Sequence, residues 1–187
     1  MLKILNNPKT ENYQLLKNII FDHQFPWYYQ ATSTTGLSDM KGHRSYPFYS
    51  HIFLTRPDGT NPHYYPVPKS GSTDLAVQVI SEIINYNKNP FNDGKSRFFL
   101  TRLSSNSTFP IEDEYQFTIP HCDHDFPHIN FICYLNEGYG GGRTFIEGYS
   151  PHEPVEDQCI IFSGKHYMEL PKRKRRIIIV GTIINFE

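Results

Sequence analysis

Two segments in the first half of the chain carry apolar residues at the spacing of an amphipathic helix. The first follows Thr10, a residue suited to capping a helix, and the second begins at Thr73 and Asp74. Their apolar faces comprise Tyr13, Leu15, Leu16, Ile19 and Ile20 in the first helix, and Ala76, Val79, Ile80, Ile83 and Ile84 in the second. An aromatic run at 25–29 ends the first helix, and Pro90 ends the second.

Short runs rich in Ile, Val, Phe and Tyr follow and indicate β-strands, because turn-forming residues separate them. The predicted strands span residues 46–55, 97–103, 115–120, 128–135, 143–146, 158–162, 166–170 and 176–186. Helices followed by many strands predict an α+β fold in which the N-terminal helices pack on one side of an antiparallel sandwich or jelly roll. We expect a single domain over 1–187, with helical and loop support from 1–95 and most of the core from 96–187.

Composition excludes several classes of function. Charged residues make up 20% of the 187 positions and the formal net charge is −1, which disfavours a nucleic-acid partner or a polybasic membrane binder. The longest apolar run, 177–184, is shorter than the roughly 20 residues of a membrane span, and the first residues lack a secretory pattern. The three cysteines show no paired spacing, which indicates a reducing environment. We therefore expect a soluble, cytoplasmic protein.

Residues 121–128 contain the densest group of metal-ligating side chains. In an extended chain His121 and Asp123 point to the same side, whereas Cys122 points away. A third ligand must come from elsewhere, and the downstream histidines are His124, His128, His152 and His166. His166 follows the predicted strand 158–162 after a Ser-Gly turn, so an opposing strand could deliver it to the other two.

Two histidines and one carboxylate leave about half of an octahedral site open, which is typical of iron(II) oxygenases rather than of structural zinc. A second signal is the cationic run 172–176 before the last strand. The stem of Arg176 would lie inside the sheet because Ile177 follows it. A partly buried guanidinium needs an anionic partner, which could be a protein carboxylate or a dicarboxylate cosubstrate.

The order of these motifs resembles that of the iron(II)- and 2-oxoglutarate-dependent oxygenases, in particular the prolyl 4-hydroxylase-like branch and its small phage-encoded members. The residues that carry the resemblance are, in order, His121-x-Asp123, Ile132-Cys133-Tyr134-Leu135-Asn136, Gly140-Gly141-Gly142-Arg143-Thr144, His166 and Arg176, with Arg175 as the alternative. In that family a basic residue stands nine or ten positions after the distal histidine, a spacing that both arginines satisfy. The resemblance covers residues 97–187 well and the first half loosely, and it implies a double-stranded β-helix, the jelly-roll or cupin-like core.

Carried over residue by residue, the resemblance implies His121, Asp123 and His166 as iron(II) ligands. It implies Arg176, or else Arg175, as the residue that binds the far carboxylate of 2-oxoglutarate, and Tyr134 as a hydroxyl donor to that carboxylate. The reaction would consume 2-oxoglutarate and O2 and hydroxylate an unactivated C–H bond. This sequence departs from the family at Arg143, where Glu or Thr is frequent, and at Ile178, where a small polar residue is usual.

Three functions remain open. The first is hydroxylation of a prolyl or other peptide side chain, and the second is the same chemistry on a small metabolite or a nucleobase. The third is a non-catalytic jelly roll that binds a sugar or a metal without turnover. For either enzyme, the irregular segments 32–42 and 57–72 are candidate lids over the site.

Overall fold

The two helices lie where the apolar spacing predicts them. The computed structural model describes residues 1–34, 41–56, 65–88, 90–91, 97–110 and 116–186. Helix α1 spans Glu11–Phe21, and the Thr10 side chain accepts a hydrogen bond from the Tyr13 amide, as an N-cap residue does. Helix α2 spans Thr73–Tyr86. Neither these helices nor any other helix of the described residues is long and apolar enough to span a membrane.

Eleven strands are present among the described residues. They are β1 (Leu2–Leu5), β2 (Tyr28–Gln30), β3 (His43–Arg44), β4 (Phe48–Leu54), β5 (Arg97–Thr108), β6 (Phe117–Thr118), β7 (Ile129–Tyr134), β8 (Thr144–Ile146), β9 (Cys159–Phe162), β10 (His166–Met168) and β11 (Arg176–Phe186). Seven of them form one sheet in the order β1-β9-β7-β11-β5-β4-β2, in which every pairing is antiparallel. The pairs β10-β8 and β3-β6 form two smaller sheets.

The large sheet has an apolar core on each face because its central strands alternate buried side chains. In β11, Ile177 and Ile179 belong to the core that contains both helices, whereas Ile178 and Val180 belong to the second core. Ile146 of β8 also lies in the second core, so the smaller strands cover the face of the large sheet that is opposite the helices. This arrangement is the predicted α+β jelly roll with helices packed on one side.

Three strands of the large sheet come from the first half of the chain, for which we expected mainly helical and loop support. Strand β4 corresponds to the predicted strand 46–55, and β2 lies beside it at one edge. Strand β1 pairs with β9 at the other edge. The candidate lid segments 32–42 and 57–72 fall largely outside the described residues, at 35–40 and 57–64.

Candidate metal and cosubstrate site

Main-chain pairing brings His121 and His166 together. The amide of His121 donates to the carbonyl of His166 at 2.9 Å, and the amide of His166 donates back to the carbonyl of His121 at 2.9 Å. The two residues therefore face each other as an isolated antiparallel bridge, and their ring centroids are 4.6 Å apart. Because the bridge is made by the backbone, the approach of the two imidazoles does not depend on a bound ion.

Each imidazole has one nitrogen next to a carbonyl and the other available as a ligand. Nδ1 of His121 lies 2.9 Å from the Ile119 carbonyl, and Nδ1 of His166 lies 3.3 Å from the Gly164 carbonyl. A carbonyl only accepts, so Nδ1 carries the proton in both rings and Nε2 keeps its lone pair. Burial lowers the pKa of His166 to about 4, which keeps this imidazole neutral at neutral pH, as ligation requires.

Asp123 completes the group. Its Oδ2 lies 3.7 Å from Nε2 of His166, and one ligand atom from each of the three residues lies within 4.8 Å of the others. Burial opposes ionisation of Asp123, but Arg102, together with His166 and Arg56, outweighs burial and holds the pKa of this carboxyl well below its usual range. Two imidazoles and one ionised carboxylate are the donor set expected for non-haem iron(II).

Arg176 is buried beside this group, in the same cavity. Its side chain is 3% exposed, its Nη2 donates to Thr144 Oγ1 at 3.2 Å, and its Nε has no hydrogen-bond partner. No described carboxylate forms a salt bridge with it. A buried guanidinium in this state is ready to bind an anion, and a carboxylate matches its two-pronged geometry.

The strand that carries Arg176 is fixed at its start by Asn136. The side-chain Nδ2 of Asn136 donates to the Arg175 carbonyl at 2.9 Å, and the side-chain Oδ1 accepts from the main-chain amide of Ile177 at 2.9 Å. The two hydrogen bonds therefore lie on either side of Arg176 along the chain. Gly142 makes room for the guanidinium stem. A Cβ on Gly142 would lie 3.2 Å from Cδ of Arg176 and 2.8 Å from the Tyr139 ring, and its φ of +80° is a conformation that favours glycine.

Tyr134 and Arg175 are not among the described residues that line the cavity. The Tyr134 hydroxyl is 2.8 Å from Thr144 Oγ1, its ring lies under the guanidinium of Arg176 at 5.3 Å, and it does not line the cavity. Arg175 is half-buried and is also absent from the cavity wall among the described residues. Tyr134 is therefore linked to the cavity through Thr144, and Arg176 rather than Arg175 is the arginine that reaches the cavity.

The two departures from the family pattern differ in their relation to the cavity. Arg143 precedes β8 and points outward to Glu169, 2.7 Å away, while the next residue, Thr144, faces the cavity. Ile178 lies in the cavity wall, two residues after Arg176 on the same face of β11. The cavity therefore has an apolar side chain where the family usually has a small polar one.

Sequence reasoning missed three polar residues that line this cavity. Thr144 is the hydroxyl between Tyr134 and Arg176, and Arg56 and Arg102 both donate to Asp123 Oδ1, at 2.9 and 2.7 Å. Thr144 ends the glycine motif that carries the family resemblance, but nothing in that motif assigned it a role, and the two arginines lie outside any motif. Only the pairing of strands distant in sequence brings them to the site.

Comparison with known proteins was made on sequence and on structure. No protein-family model matches the chain, and no curated protein matches it in sequence. Solved structures do match. An oxidoreductase of the 2OG-Fe(II) oxygenase family from Burkholderia pseudomallei has a TM-score of 0.71 at 13% identity, with 97% of this chain and 84% of that chain covered.

The chain has the fold of the iron(II)- and 2-oxoglutarate-dependent oxygenases. Two further oxygenases share this fold, each with a TM-score of 0.54 and 15% identity over 97% of this chain. One is the viral collagen prolyl hydroxylase of Paramecium bursaria Chlorella virus-1, covered over 94% of its length. The other is a prolyl hydroxylase from Trichoplax adhaerens, solved with a hypoxia inducible factor peptide and covered over 82%. The oxygenase fold expected from the motifs is thus confirmed.

Proposed function

We propose that the chain is an iron(II)- and 2-oxoglutarate-dependent dioxygenase that hydroxylates an unactivated C–H bond, with a prolyl or other peptide side chain as the first candidate substrate. One observation carries the proposal. His121, Asp123 and His166 converge in the same cavity as Arg176, a buried cation without a counterion among the described residues. A structural metal site would not require that cation.

The roles of the residues follow from their positions. His121 and His166 would bind iron(II) through Nε2 and Asp123 through Oδ2, because its Oδ1 is already bonded to two arginines. Arg176 would bind the distal carboxylate of 2-oxoglutarate with Thr144 beside it. Iron(II), with 2-oxoglutarate and O2, supplies the oxidation that converts C–H to C–OH and releases succinate and CO2.

The protein's own contribution is orientation and exclusion of water. Ile132, Ile178 and Val180 form an apolar wall of the cavity next to the ligands. Arg176 in β11 and Thr144 in β8 line the cavity and would set the direction from which 2-oxoglutarate reaches the ligand group. A cosubstrate held in one orientation beside an apolar wall favours coupled turnover over side reactions.

The test is anaerobic addition of iron(II) and 2-oxoglutarate to the purified protein. We expect the weak visible charge-transfer band of a keto acid chelated to iron(II), and its loss in Asp123→Ala. Glu153→Ala is the control, because Glu153 is an exposed carboxylate outside the cavity. Succinate release with candidate peptides or metabolites then identifies the substrate. Metal retention without the band would instead support a non-catalytic binding protein.

A further inference from the structure

The Asp123 carboxylate accepts hydrogen bonds from two arginines, although one arginine would be enough to orient it. Arg56, just after β4, and Arg102, in β5, both donate to the same oxygen, Oδ1. One bidentate arginine is enough to fix and ionise a carboxylate. Each guanidinium carries five N–H donors and gives Asp123 only one of them, so both retain donors for another group.

The charges of the described residues that line the cavity do not balance without a further anion. Among the described residues that line it, Arg56, Arg102 and Arg176 are cationic and Asp123 is the single carboxylate. Under the proposed function a divalent metal and a dianionic cosubstrate would be added, and their charges cancel. The cavity would still have two positive charges in excess, and such an excess in a partly buried site favours binding of an anion.

The two arginines also lie where a substrate would enter. Both line a groove that adjoins the metal cavity, together with Phe48, Ser50 and Ser104 from β4 and β5. The Arg56 side chain is 47% exposed and that of Arg102 is 16% exposed. An anion arriving along the groove would meet Arg56 first, next to a metal ligand.

We infer that the substrate presents an anionic group, a carboxylate or a phosphate, to Arg56 and Arg102 where the groove meets the metal cavity. The inference rests on the proposed function and narrows it, because a neutral prolyl peptide would leave these donors unused. The bonds to Asp123 then position the metal ligand, and the remaining donors select the substrate and place its reacting carbon beside the metal.

The test measures binding in protein loaded with zinc(II), which prevents turnover, and with 2-oxoglutarate, which occupies Arg176. The probes are acetyl-X-Pro-Gly amides in which X is Gln, Glu or phosphoserine, together with free N-acetylglutamate and N-acetylglutamine. We expect at least one anionic probe to bind about tenfold or more tightly than its neutral counterpart by calorimetry. The preferred probe distinguishes carboxylate from phosphate, and peptide from small molecule.

Variants assign the preference to the arginines. Arg56→Gln should remove most of the preference for anionic probes, and Arg56→Lys should retain part of it. Arg97→Gln makes the same charge change at an exposed site outside the cavity, so this variant should retain the whole preference. Equal binding of anionic and neutral probes, or a preference that survives in Arg56→Gln, overturns the inference. The iron charge-transfer band, recorded on the same wild-type protein, reports separately whether the proposed function holds.

Discussion

Replacing Arg176 with methionine should weaken 2-oxoglutarate binding and also stabilise the ligand-free protein. The guanidinium is buried, its Nε is unpaired, and no described carboxylate neutralises it. A buried, uncompensated cation raises the free energy of the folded state until an anion binds. Methionine has a similar length, so the charge is removed without a large void.

Both magnitudes can be worked from this geometry. Loss of two charge-assisted hydrogen bonds to a carboxylate, at about 1.5–3 kcal/mol each, amounts to roughly 3–6 kcal/mol. At about 1.4 kcal/mol per tenfold change in affinity, 2-oxoglutarate should bind roughly 100-fold to 10,000-fold more weakly. Replacement of buried ionic groups by well-packed apolar residues is often neutral or stabilising by about 1–4 kcal/mol. We expect the lower part of that range, because Thr144 loses one of its two partners.

The affinity is measured by anaerobic titration of the iron(II) protein with 2-oxoglutarate, and the stability by thermal unfolding without metal or cosubstrate. A gain of 1 kcal/mol should raise Tm by about 2–4 °C in a chain of this size. Arg175→Met is the matched control, because Arg175 carries the same charge on the adjacent residue and lies outside the cavity wall. Unchanged 2-oxoglutarate affinity in Arg176→Met, or weakened affinity in Arg175→Met instead, would refute the reasoning.

Three further predictions concern the groups around the cavity and the join between α1 and the sheet. Asp123→Asn should weaken manganese(II) binding at least about 100-fold by calorimetry, since it removes the one anionic ligand; near-normal affinity would exclude Asp123 as a ligand. Tyr134→Phe should raise the KM for 2-oxoglutarate about fivefold through Thr144, at about 1 kcal/mol per hydrogen bond; a 100-fold effect would mean direct contact. The Asp157 carboxylate accepts hydrogen bonds from Tyr13 and Lys17, both at 2.5 Å. Burial opposes its ionisation, but these partners outweigh burial and lower its pKa. Its stabilising effect is therefore present above its unfolded pKa of about 3.9 and is lost as pH falls through the lower folded value. Asp157→Asn should cost roughly 1–3 kcal/mol at pH 7 in urea unfolding, and the difference from wild type should shrink below about pH 4; a difference independent of pH would contradict this.

Local pattern predicted most of the secondary structure. The run of β-branched residues after Arg176 predicts a strand over 176–186, and β11 has those bounds. Thr10 caps α1 as its position indicates. The predicted strand 97–103 is too short, because the polar residues 104–108 look like a strand end, whereas β5 continues to Thr108. Those residues pair with β11, so their hydroxyls and amides are buried within the sheet and beside the cavity.

Contacts between residues distant in sequence set the limit on predicting the site. His121 and Asp123 share a face because alternation is local, and the reach of His166 could be inferred from one turn and one strand. Arg56 and Arg102 are different, since they lie 67 and 21 residues before Asp123 and meet it only after β4 and β5 have paired. Strand β1 was missed for the same reason, as its partner β9 is at the far end of the chain.

The central position of β11 has a consequence for how this protein can change in evolution. Odd-numbered positions such as Ile177 and Ile179 fill the core against the helices, and even-numbered ones such as Arg176 and Ile178 face the cavity. A single-residue insertion inside β11 would exchange the two sets, placing the guanidinium among apolar side chains and an isoleucine at the anion site. The exposed turn 172–174 has no alternation of buried faces that a change in length would disturb. Length variation among descendants of this chain should therefore accumulate in that turn and be purged from the strand.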